Sequence, residues 1–208
     1  YVNGTLTITQ NSKALVITSS TKSWTYDGEL HKDEVYTVTY DGKALTADES
    51  GKVFTLPAGD TLTITATAAG VKYVADSAAE NNKYTYVLTN AGQYSSVTAT
   101  YGQLSITPKD ITVAVADAPD VEYDGDEHEG EKTPVFSGLV SGHVGTIDYT
   151  AAKGTLVGTY EGAYGENWSV KDAAGKDVTG NYNLTEKTVG KLTIIDREDK
   201  YEIEVIAN

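Results

Sequence analysis

Three short segments with one pattern constrain this chain more than any other feature: Gly4-Thr5-Leu6-Thr7-Ile8-Thr9, Gly102-Gln103-Leu104-Ser105-Ile106-Thr107 and Gly190-Lys191-Leu192-Thr193-Ile194-Ile195. Their glycines lie 98 residues apart (4 to 102) and then 88 (102 to 190). In each segment Leu and Ile alternate with polar residues, the period-two signature of a strand with one buried face. Self-similarity at such a period marks stacked structural units, each about the size of a small domain.

A second mark stands at matching places near the start of each unit: Tyr26-Asp27-Gly28-Glu29-Leu30-His31 and Tyr123-Asp124-Gly125-Asp126-Glu127-His128. Asp-Gly is a turn signal, because Gly accepts positive φ and Asp bonds its own downstream backbone. It follows an alternating strand in both copies, Ala14 to Thr18 and Ile111 to Val115. Further strands are predicted at Val35–Tyr40, Lys52–Leu56, Thr61–Ala66, Lys83–Thr89 and Ser95–Thr100 in the first unit. In the second they are predicted at Thr133–Phe136, Gly145–Thr150, Gly158–Ala163, Trp168–Lys171 and Asn181–Thr185. The 15 Tyr, the frequent Thr and Val and the 20 Gly fit this reading, since β-branched and aromatic residues suit a pleated surface and Gly supplies the turns.

About seven short strands per hundred residues is the pattern of an immunoglobulin-like sandwich. The expected fold is therefore all-β: two tandem immunoglobulin-like β-sandwich repeats, with a partial strand from a neighbouring repeat at each end. Residues 1–10 read as the last strand of a preceding repeat, or as a strand exchanged into the first sandwich. Repeat one runs 11–108, repeat two 109–196, and 197–208 form a charged hinge and the opening strand of a following module. Leu6, Ile8, Leu104, Ile106, Leu192 and Ile194 are the expected core residues of the motif strands.

The Tyr-Asp-Gly-x-x-His mark, the stretch from Lys171 to Thr185 and the closing Gly-x-Leu-x-Ile-Thr-Pro together resemble the YDG/MBG class of bacterial immunoglobulin-like repeats. The resemblance spans roughly residues 11–196. It implies a long surface protein or adhesin, and the class brings no catalytic residues with it. Repeat one departs from the pattern at Ala75 to Asn82, where a glycine-rich turn is usual.

Composition narrows the chemistry. A net charge of −14 argues against nucleic acid and anionic membrane as partners, because phosphate binding needs clustered Lys and Arg. With no Cys there is no disulfide, zinc–thiolate site or thiol nucleophile, and with no Met either the chain suits an exposed, oxidising setting. The acids concentrate in the second repeat: seven Lys face ten acids in 11–108, but seven Lys face sixteen in 109–196. The run Asp117, Asp120, Glu122, Asp124, Asp126 is the candidate metal site, for Ca²⁺, which takes six to eight oxygen ligands. A solvated acidic loop is the plain alternative.

His31 and His128 are read as turn-stabilising, and His143 as a lone loop histidine. Trp24 and Trp168, with Tyr84, Tyr86, Tyr160 and Tyr164, read either as core packing or as a sugar-stacking platform. A Lys–Asn or Thr–Gln cross-link between first and last strands would involve Gln103 or Lys191, a position filled by Thr5 in the first motif; that variability marks it as solvent-facing. No local motif pairs a nucleophile with a base, so no enzyme activity and no catalytic residue is expected. The chain reads as a rigid stalk of a secreted, wall-attached bacterial adhesin. It is expected to be monomeric and extracellular and to meet host glycan or protein through its parent molecule. The alternative is that the repeats themselves bind a host glycan, mucin or matrix protein.

Overall fold

A computed structural model describes residues 4–198 of the chain. It is all-β: 47% of residues lie in strands and 5% in helical turns. The chain divides into two compact units, with the boundary between Pro108 and Lys109.

In unit one the strands are β1 (Leu15–Ser19), β2 (Lys22–Thr25), β3 (Tyr36–Tyr40), β4 (Lys43–Ala44), β5 (Val53–Thr55), β6 (Thr61–Ala66), β7 (Tyr84–Leu88), β8 (Val97–Thr100) and β9 (Leu104–Thr107). They form sheets of order β4-β3-β1-β8 and β5-β6-β7 and a β2-β9 pair. One apolar cluster draws on the two larger sheets: Leu15 and Ile17 of β1, Val38 of β3, Phe54 of β5, Leu62 and Ile64 of β6, and Tyr84 of β7. These are the inward positions of alternating strands. Each fully buried aliphatic side chain removes enough apolar surface from water to contribute about 1.5–3 kcal/mol. Tyr84 joins the cluster because its hydroxyl donates to the Ile17 carbonyl at 2.7 Å, so the buried oxygen has a partner.

In unit two the strands are β10 (Lys109–Ala114), β11 (Val121–Glu122), β12 (His128–Glu129), β13 (Val135–Ser137), β14 (Val144–Thr150), β15 (Lys153–Gly154), β16 (Gly158–Glu161), β17 (Ala163–Lys171), β18 (Tyr182–Thr188) and β19 (Lys191–Ile195). The sheets are β13-β10-β18, β11-β19-β16, β12-β15 and β14-β17. The segment predicted as Trp168–Lys171 is the second half of the longer β17, which pairs antiparallel with β14 through a register shift after Ile147.

The two units share one pairing scheme. The opening strand lies antiparallel to a strand that follows the Asp-Gly corner (β1 with β3, β10 with β13, which comes after the short β12) and parallel to the penultimate strand (β1 with β8, β10 with β18). The second strand then runs parallel to the closing Gly-x-Leu-x-Ile strand (β2 with β9, β11 with β19). Register rises together along both partners, from Asn11↔Tyr94 to Thr25↔Thr107 and from Lys109↔Tyr182 to Glu122↔Ile195. Each unit is therefore entered at one end of this parallel ladder and left at the other.

The glycine that opens each closing strand is imposed by this crossing. A Cβ on Gly102 would lie 2.0 Å from the Ser20 carbonyl oxygen, and one on Gly190 would lie 2.4 Å from that of Ala116. The difference in spacing has a local cause as well. Unit one spends residues 43–55 on β4 and β5, whereas unit two passes from β13 through Gly138 and Gly142 directly into β14. Phe54 of β5 is 2% exposed in unit one's core. In unit two β14 pairs only with β17 among the described residues.

Leu6 and Ile8 depart from expectation. Residues 4–10 carry no regular secondary structure, and the two side chains are 88% and 80% exposed, whereas Leu104, Ile106, Leu192 and Ile194 are all 3% or less. The cause is the missing partner: among the described residues nothing comes within 4 Å of a Cβ built on Gly4, so none of their strands crosses there. Residues 1–3 and 199–208 lie outside the described residues, and with them the whole of the predicted C-terminal opening strand, 201–206.

Candidate functional site

The Asp-Gly corner is built the same way in both units. Asp27 accepts the Glu29 amide at 2.9 Å while Gly28 takes φ of 83°, a left-handed conformation that an L side chain resists. The turn returns the chain so that His31 exchanges two backbone hydrogen bonds with Val71, at 2.8 and 2.9 Å. The His31 ring then reaches back, with Nε2 at 2.9 and 3.0 Å from the two Asp27 oxygens. In unit two Asp124 accepts the Asp126 amide at 2.9 Å and contacts His128 Nε2 at 2.9 Å, Gly125 has φ of 92°, and β12 pairs with β15. Both carboxyls are held below the usual aspartate range. The backbone amide is the largest cause in each case, and the imidazole adds to it. Both histidines thus brace the turn, as expected from their repetition.

The units differ in what covers this corner. Trp24 stacks on His31 with ring centroids 4.9 Å apart and planes 18° from parallel, and the Lys22 ammonium lies 5.3 Å from the indole. Trp24 is only half-buried, in contrast to a full core placement, although its register partner Ile106 and Tyr26, two residues on, are 3% and 1% exposed. The corresponding residue in unit two is Val121.

An Asp–His pair is also two members of a hydrolytic triad, so its neighbours matter. Among the described residues no serine or threonine hydroxyl bonds either His31 or His128. His143, read from sequence as lacking a partner, has one: its Nδ1 lies 2.7 Å from the Tyr182 hydroxyl, which also accepts the Val140 amide at 3.2 Å. Tyr182 lies 39 residues downstream, so no local pattern could have announced the pair.

The candidate calcium ligands do not gather round a point. Asp117 accepts the Lys191 amide at 2.8 Å and so fastens the closing strand, and Asp124 is committed to its turn. Asp120 and Glu122 are exposed on the way into and along β11, and Asp126 is exposed in the Asp-Gly turn. Farther on, Glu129 pairs with Lys132 and approaches Lys153 at 3.7 Å. Among the described residues no three acidic or histidine side chains converge in a metal-binding set.

The cross-link position is solvent-facing in all three motifs: Thr5 and Gln103 are exposed, and Lys191 pairs with Glu161 at 3.3 Å. Of the aromatics, Tyr84 is core and Tyr86 is 38% exposed. Tyr160 and Tyr164 donate to the carbonyls of Leu156 and Thr188, each at 2.9 Å. Trp168 sits half-buried opposite Ile147, beside a shallow open depression with Asp148 and Asn167.

A polar device at unit one's irregular segment was not legible in the sequence. In unit two β16 covers the outer edge of β19. Among the described residues of unit one no such strand flanks β9, and side chains take its place. Asn81 accepts the Leu104 amide at 2.6 Å and donates to the Leu104 carbonyl at 2.8 Å, while Ser77 Oγ accepts the Ile106 amide at 2.9 Å. Asp76 holds this segment in place by accepting the amides of Lys72 and Tyr73 at 2.9 and 2.8 Å. One residue on, Asn82 binds the Ser20 carbonyl through its side chain at 3.0 Å and the Gly102 carbonyl through its backbone amide at 3.1 Å. An asparagine side chain carries the same donor and acceptor as a peptide group, so it can satisfy a strand edge. The chain matches no protein-family profile, no curated protein and no solved structure.

Proposed function

We propose that this chain is a pair of tandem immunoglobulin-like sandwiches serving as a non-catalytic, load-bearing spacer in a bacterial cell-surface adhesin. The observation that carries the reading is the parallel ladder joining the first two strands of each unit to its last two. Tension on the two ends of such a unit drags the paired strands past one another, so several hydrogen bonds must break together rather than in sequence. Such a unit resists force through a slow unfolding rate, the quantity that governs forced unfolding. A row of units of this kind behaves as a one-dimensional stack.

Other features fit the same role. His31 and His128 are spent on turns, Gly102 and Gly190 on strand crossing, and the acidic surface keeps copies apart and soluble. The resemblance to YDG/MBG surface repeats points to the same setting outside a bacterial cell, with host contact made elsewhere in the parent molecule.

Single-molecule stretching of residues 1–208 tests the proposal. Two separate unfolding events are expected. At about 3.6 Å per residue, 98 and 88 residues release about 350 and 320 Å of chain, less each unit's folded length. A single smooth extension without force peaks would overturn the spacer reading.

A further inference from the structure

Residues 4–9 keep every feature of a closing strand except its surroundings. The motif matches β9 and β19 position for position, yet Leu6 and Ile8 are exposed where their counterparts are buried, and Gly4 has open space where Gly102 and Gly190 press on backbone. Solvent exposure gives Gly no advantage at position 4 and gives Leu and Ile none at 6 and 8.

The spacing to the next strand is also kept. Lys109, seven residues after Gly102, opens unit two by pairing parallel with Tyr182. Asn11, seven residues after Gly4, opens unit one by pairing parallel with Tyr94. A closing strand, one connecting residue and an opening strand therefore recur ahead of unit one as they do between the units. The matching slots within the chain are filled, since Lys22–Thr25 already holds Leu104–Thr107 and Val121–Glu122 already holds Ile194–Ile195.

We infer that residues 4–9 are the closing strand of a third unit of the same build, seated directly before unit one. The partner surface is defined by what β9 and β19 meet: a parallel second strand, a backbone crossing that only glycine admits, and two apolar sites spaced two residues apart. The segment carries no charge, so the acidic character of the chain does not oppose its docking. The inference rests on reading the chain as an array of like units, but it does not depend on their bearing load.

The test places a second copy of residues 11–98 directly before Tyr1 of the full chain, so that residues 1–3 stand where 99–101 stand in unit one. The expected result is a third cooperative transition in the melt, with slowed hydrogen exchange at the Leu6 and Ile8 amides. Leu6→Asp should abolish that transition in the extended chain and leave both transitions of the original chain unmoved. An added segment that gains no protection, or a third transition indifferent to Leu6→Asp, would overturn the inference. A spacer that failed the stretching test would leave these transitions unaffected, so the two failures are separable.

Discussion

Replacing Gly102 by Ala adds one methyl group at a crossing that has no room for it. The built Cβ lies 2.0 Å from the Ser20 carbonyl oxygen, 2.4 Å from the Ser20 carbonyl carbon and 2.6 Å from the Ser19 carbonyl oxygen. All three are backbone atoms, so no side chain can rotate aside and the start of β9 must move away from the β1–β2 corner. That movement breaks two hydrogen bonds: the Gly102 amide to Ser19 Oγ at 2.9 Å and the Asn82 amide to the Gly102 carbonyl at 3.1 Å. Buried groups left unpaired cost about 1–3 kcal/mol each, so the expected loss is roughly 3–5 kcal/mol, in the tail reserved for backbone clashes and broken buried networks. A unit of this size shifts by about 4–8 °C per kcal/mol, which lowers its Tm by roughly 15–30 °C. Calorimetry of the full chain should show unit one's transition moving while unit two's stays in place. Gly4→Ala supplies the matched control in the same motif: with open space around Gly4, it should change stability by less than about 0.5 kcal/mol. A Gly102→Ala protein within about 1 kcal/mol of the parent would refute the crossing argument.

Asn81→Ala removes the side chain that stands in for a strand at β9 and leaves the Leu104 amide and carbonyl unmatched, so urea unfolding should show unit one weakened by about 2 kcal/mol. Among the described residues the Tyr36 hydroxyl is buried without a hydrogen-bond partner, and burial pushes its pKa up; Tyr36→Phe should therefore stabilise unit one by about 0.5–1 kcal/mol in the same assay. Asp27 and Asp124 titrate below the ordinary value of 3.8 in the folded chain, so their contribution is complete above that pH and disappears as pH falls through the lower folded value. Asp27→Asn and Asp124→Asn should each flatten the acid limb of Tm against pH for their own unit, and an unchanged limb would show that the turns do not carry it.

Much of the fold was legible because strand alternation and Asp-Gly turns are local. Val53–Thr55 and Thr61–Ala66 fall where period-two patterning put them, within a residue or two, and His31 and His128 declared a structural role by recurring after the same turn. What sequence could not carry was partnership at a distance. Whether Leu6 and Ile8 are core depends on a strand that must lie beside them, and their pattern is indistinguishable from that of Leu104 and Ile106. The role of Asn81 depends on facing an open edge of β9, and nothing around residue 81 signals that edge. The acids from Asp117 to Asp126 looked like a cluster because they are close in sequence. The chain instead commits Asp117 to the closing strand and Asp124 to its turn, and leaves Asp120, Glu122 and Asp126 exposed to water.

The most direct test of the load-bearing claim compares two directions of pull on unit one. The chain has no cysteine, so introduced pairs give unique handles. Ser12→Cys with Thr107→Cys loads the parallel ladder from its opposite ends, in shear. Ser12→Cys with Ser95→Cys pulls apart two strands at the same end and opens their bonds one after another, since Asn11 pairs beside Tyr94 and Ser95. The account predicts an unfolding force severalfold higher for the first pair than for the second. Equal forces in the two directions would contradict it.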